Sequence, residues 1–152
     1  MLLNDMSTPE AVLDFRVPAH PHLARVVREG VAEFAHARSV DPDDLAHFLT
    51  ALGEALANAI EHAHALDPIE VNVRIDRMSI MATISDTGVG FVAQEVVPEP
   101  PLPDPQAERG RGLPIMRRCS DIFLVKSVPG QGTAVVVGRY LRVRADPAVS
   151  VA

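Results

Sequence analysis

The chain has 152 residues, about 47% of them hydrophobic, which suits one domain with one continuous core. Its formal net charge is −6, and with no Trp and one Tyr it lacks the basic surface and stacking platforms of a nucleic-acid binder. Cys119 is the only cysteine, so no internal disulfide can form and a reducing compartment such as the cytosol fits; no apolar run is long enough to span a bilayer, and the N-terminus does not read as a signal peptide.

Leu13, Phe15 and Val17 alternate with Asp14 and Arg16, which predicts a half-buried first strand ended by Pro18 and Pro21. Leu23, Val26, Val27, Val31 and Phe34 recur at helical spacing and predict a first helix to about Arg38. Asp41-Pro42-Asp43-Asp44 is a strong helix start: Asp41 can cap, Pro42 suits the first turn and the acids complement the helix dipole. The apolar stripe Leu45, Phe48, Leu49, Leu52, Leu56, Ala59, Ile60 and Ala63 carries this second helix to about His64.

Beyond Pro68, Val71, Val73 and Ile75 alternate with polar residues, and a turn near Arg77 leads to a strand over 79–85, so the pair reads as a hairpin. Residues 92–109 hold five prolines among acids and are expected to form a functional loop inside the domain. A third helix is predicted from Leu113 to Ser120, then strands over 122–127 and 133–143 around Pro129-Gly130-Gln131-Gly132. The expected architecture is an α/β (α+β) two-layer sandwich: a mixed, mostly antiparallel sheet with helices on one face. Residues 1–9 and 145–152 are expected to be flexible, with one domain over 10–144.

Four features carry chemistry. Glu54, Asn58 and His62 lie four apart on one helical face, expected opposite the Leu/Phe stripe and surrounded by Ala51, Gly53, Ala55 and Ala57. Their small neighbours allow close approach, and the oxygens of Glu54 and Asn58 suit a hard cation such as Mg2+. Asp86-Thr87-Gly88-Val89-Gly90 follows a strand; its glycines permit a tight turn, and Asp86 can accept from an amino group such as that of adenine. Gly110-Arg111-Gly112-Leu113 opens a helix, where backbone N–H groups beside Arg109 and Arg111 suit polyphosphate. Gly132-Thr133 enters the last strand. There is no P-loop signature. His20 and His22, like His62 and His64, read as surface residues in preference to metal ligands, and Cys119 as a small buried residue without a base beside it.

In order and spacing these features resemble the gyrase, chaperone, histidine-kinase and mismatch-repair ATPase superfamily, over about residues 10–143. The run 54–62 looks like its N box, 86–90 its first glycine box, 110–113 its second and Gly132-Thr133 its closing pair. With neither a transducer domain nor a phospho-acceptor helix pair expected around it, the chain is similar in particular to the bacterial anti-sigma factor serine kinases. That resemblance implies a Bergerat fold binding ATP and Mg2+. It makes Glu54 the general base, Asn58 the Mg2+ ligand and Asp86 the adenine acceptor with Thr133 nearby. Gly88 and Gly90 would let the base lie against the backbone; Gly110, Gly112 and Leu113 would wrap the phosphates, Arg109 would reach the γ-phosphate, and 92–109 would be the ATP lid. It also implies a sigma factor and an anti-anti-sigma (STAS-type) protein as partners, a homodimer, and a cytoplasmic location without nucleic acid or membrane. Two other readings stay open: a non-catalytic nucleotide-binding module that sequesters a partner, and a switch kinase of a stress-signalling complex that binds no sigma factor.

Overall fold

The computed structural model describes residues 10–64, 66–90 and 112–142, with the side chains of Gly112 and Leu113 left aside. Its elements are β1 (Ala11–Val17), α1 (Pro21–His36), α2 (Pro42–His62), β2 (Ile69–Ile75), β3 (Ser79–Asp86), α3 (Gly112–Arg118), β4 (Ile122–Val128) and β5 (Gly132–Tyr140). The expected lid, Arg109, Gly110 and both expected flexible ends fall outside the described residues.

The five strands form one sheet in the order β1-β2-β3-β5-β4. The sheet expected to be mixed but mostly antiparallel is antiparallel at every pair among the described strands. Two of these pairs, β2–β3 and β4–β5, are tight hairpins, which force antiparallel neighbours. Alternation sets the faces. Ile69, Val71, Val73 and Ile75 of β2, Ile80, Ala82 and Ile84 of β3, and Val135 and Val137 of β5 are buried on the helix side. There they join Val27 and Val31 of α1 and Phe48, Leu52, Leu56 and Ala59 of α2 in one core. At roughly 1.5–3 kcal/mol for each large side chain fully withdrawn from water, this layer dominates the fold's stability.

The start of α2 follows its sequence signal. Asp41 caps α2, accepting from the N–H groups of Asp43 and Asp44 at 3.1 Å each. His20 caps α1, its Nδ1 accepting from His22 N at 3.1 Å. The β2–β3 turn is tied by Asp76, whose Oδ1 accepts from Met78 N at 2.7 Å and Ser79 N at 2.8 Å. No helix among the described residues is long and apolar enough to cross a membrane.

Candidate nucleotide site

The inward row of β3 runs Ile80, Ala82, Ile84 and then Asp86, so a carboxylate occupies the place of the next core residue at the end of the sheet. Thr133 of β5 pairs with Asp86, and Ser127 of β4 pairs with Thr133. Three polar side chains therefore stand side by side on the helix-facing surface. Thr133 Oγ1 and Ser127 Oγ lie 2.7 Å apart, and Asp86 Oδ1 accepts from Gly88 N at 2.8 Å.

Asp86 is 7% exposed, and burial pushes its carboxyl above the ordinary value. The Gly88 N–H, the charges of His62 and His64, and the Thr133 N–H pull the other way without overcoming it. Such an acceptor, dry and held by its own turn, is suited to one specific donor such as an exocyclic amine.

The C-terminal end of α2 meets this row directly. Val89 N donates to the His62 carbonyl at 3.3 Å, and Thr87 Oγ1 donates to Asp67 Oδ2 at 2.8 Å. A Cβ on Gly88 would stand 1.9 Å from the His62 oxygen. On the other side Gly130 N donates to the Val89 carbonyl at 2.7 Å. Gly90 has φ +65°, and a Cβ there would stand 2.2 Å from the Val128 oxygen. A Cβ on Gly132, φ +113°, would stand 2.1 Å from the backbone carbonyl oxygen of Asp86. These glycines answer first to the protein's own backbone: they let the 86–90 turn wedge between α2 and the β4–β5 hairpin. The sequence reads Gly88 and Gly90 as permitting a tight turn, and the resemblance implies in addition that they let the base lie against the backbone.

Along α2, Glu54, Asn58 and His62 are all partly buried, and Ala51 and Ala55 beside them are fully buried. The polar row is thus not opposite the apolar stripe as expected. Each four-residue step on a 3.6-residue helix advances the row about 40° around the axis, so it turns from Glu54 toward the packed flank at His62. Residues opposite the core are Ala46, Thr50, Ala57 and Glu61, all exposed. α3 packs on α2, with Met116 fully buried between the helices and the sheet. Gly112 is the first residue of α3, so this glycine of the second box stands on a helix that packs against the one bearing Glu54 and Asn58. A cleft on the helix-free face, lined by Asp14, Arg16, Glu70, Asn72, Thr83 and Ser85, contains none of these residues.

The sequence reading passed over Ser127, Asp67 and Arg139, and read Asp44 only as a first-turn acid of α2. Ser127 was detectable, because Phe123, Val125 and Ser127 share one face of β4. Arg139 likewise follows Val135 and Val137 on the inward face of β5. Cys119 lies just past α3 and is partly buried, as a small core-edge residue should be.

Comparison with known proteins adds a consistent picture. The profile of the histidine kinase-like ATPase domain matches residues 17–138. An anti-sigma F factor from Pasteuria penetrans is 33% identical over 127 residues, covering 78% of this chain and 85% of that protein. The serine-protein kinase RsbW of Bacillus velezensis is 29% identical over 147 residues, covering 90% and 89%. In fold the chain is similar to a crystal structure of the RsbU and RsbW domains of a Mycobacterium tuberculosis protein, with TM-score 0.64 and 22% identity. That match covers 89% of this chain and about a third of the other, 33%. With the profile spanning most of the domain and a curated relative matched over most of its length, the chain belongs to the histidine kinase-like ATPase family, in its anti-sigma factor and serine-protein kinase group.

Proposed function

We propose that this protein is an ATP-binding anti-sigma factor and serine-protein kinase, which phosphorylates an anti-anti-sigma protein of the STAS type and sequesters a sigma factor. The observation that carries the reading is that the α2 polar row ends, at His62, against the buried Asp86 turn beside Thr133, while α3 packs on α2. The residues fit a nucleotide. Asp86 offers a desolvated acceptor for the adenine amino group, with Thr133 beside it. Glu54 and Asn58 offer oxygens on one helical flank, the donor set a hard cation takes. Asn58 would hold Mg2+, which when bound neutralises charge on the phosphates. Gly110, Gly112 and Leu113 would enclose them, and Arg109 would reach the γ-phosphate.

In the reaction, Glu54 accepts the proton of the substrate serine hydroxyl as its oxygen attacks the γ-phosphorus. The bond from that phosphorus to the β–γ bridging oxygen breaks, and ADP departs with the electron pair. Positioning and charge stabilisation supply most of the acceleration in such transfers, so the demand on Glu54 is placement first. The family relationship also leads us to assign a homodimer in the cytoplasm. Labelled ATP incubated with the protein and a cognate anti-anti-sigma partner tests the assignment. Label should reach a serine of the partner, and Glu54→Ala should abolish transfer while retaining ATP binding. Absence of transfer from the wild-type protein would refute the kinase assignment.

A further inference from the structure

Asp44 and Arg139 form a buried ion pair that belongs to none of the four motifs. Their side chains are 2% and 17% exposed. Arg139 Nη2 donates to Asp44 Oδ1 at 3.1 Å, and Nη1 donates to the Cys119 carbonyl at 3.2 Å. Asp44 Oδ2 accepts from Arg142 N at 3.1 Å. One guanidinium thus joins the first turn of α2, the end of β5 and the carbonyl just past the last turn of α3. Burial works to raise the Asp44 carboxyl, but the Arg142 N–H and the Arg139 guanidinium outweigh it and hold the group below the ordinary range.

A buried pair is a poor way to gain stability, because desolvation offsets most of the attraction. What the planar fork supplies is geometry, since two donors at a fixed angle reach two acceptors at once. α3 needs that help. Its described part has 7 residues, too few to stand as a helix alone, and it meets the core through Met116. The adenine end has separate supports in the Gly88–His62 contact and the Thr133–Ser127 pair.

We propose that Arg139, held by Asp44, is a positioning residue of the ATP site. It fixes α3 against α2, and so sets Gly112 relative to Glu54 and Asn58. The inference rests on the ATP reading above and adds to it a division of labour. The phosphate half depends on the clamp, and the adenine half does not.

The test is titration of wild type, Arg139→Lys and Asp44→Asn with adenosine and with Mg-ATP, alongside urea unfolding to confirm that each variant is folded. Lysine can keep the pairing with Asp44 but cannot span both acceptors. Arg139→Lys should weaken Mg-ATP by about tenfold or more, a loss of about 1.4 kcal/mol or more. Adenosine affinity should stay within about twofold, as the additivity of separate sites requires. Asp44→Asn should shift the ratio in the same direction. Equal losses for both ligands, or unchanged Mg-ATP affinity in folded Arg139→Lys, would overturn the inference alone. Wild-type protein that binds neither ligand would overturn the ATP reading, and the inference with it.

Discussion

Replacing Gly88 with alanine tests whether the 86–90 turn is built by backbone contact with α2. The added Cβ would stand 1.9 Å from the His62 oxygen, 2.6 Å from its carbonyl carbon and 2.9 Å from the Ala63 Cα. Carbon and oxygen need roughly 3 Å or more, so the turn must retreat by about 1 Å against backbone that cannot rotate aside. Overpacking of this kind costs about 1–3 kcal/mol, and here the upper end applies. The retreat also carries Asp86, because its Oδ1 bond to Gly88 N moves with the turn. A shift of that size at a site of positioned groups is worth about a hundredfold in function. Gly130→Ala is the matched control. Gly130 has φ +79° with nothing near its Cβ position, so alanine there should cost only about 1–2 kcal/mol of backbone strain. Urea unfolding and ATP calorimetry on both variants read the difference. Gly88→Ala with wild-type stability and wild-type ATP affinity would refute the wedge.

Four further outcomes follow. Asp86→Asn should fold with stability equal to or slightly above wild type at neutral pH, yet lose nucleotide binding, as calorimetry would show. The sign follows from the raised carboxyl: a folded value above the unfolded one favours the fold at low pH and forfeits that gain as pH rises through the folded value. Correspondingly, ATP affinity should fall on acidification at a pH above the ordinary aspartate range. Asp44 has the opposite sign. Its lowered value stabilises the fold above the unfolded value, near about pH 4, and that contribution fades as pH falls through the folded one. Asp44→Asn should lose about 2–3 kcal/mol at pH 7 and show a shallower acid loss in urea midpoints measured against pH. Asn58→Ala should weaken ATP binding in Mg2+ while leaving binding in a chelator nearly unchanged, which fluorescence titration can resolve.

Local patterns made most of the fold readable. Asp41-Pro42 announces α2, and the alternation of β2 and β3 assigns each residue to a face. What stayed hidden depends on contacts distant in sequence. Asp44 read as an ordinary first-turn acid, because its partner Arg139 lies 95 residues away. Gly88 read as a tight-turn glycine, but nothing in the 86–90 run shows that its close neighbour is the His62 carbonyl. Of the candidate site, Asp86, Thr133 and the α2 row were proposed from motif order. That Asp86 continues the buried row of β3 was legible from alternation alone, had the row been extended by one residue.

Calorimetric titration of the wild-type chain with Mg-ATP tests the central claim most directly. A single saturable site at one nucleotide per chain, lost in Asp86→Asn and weakened in Asn58→Ala, is the predicted result. A folded wild-type chain without saturable heat, or one whose binding survives Asp86→Asn unchanged, would contradict it.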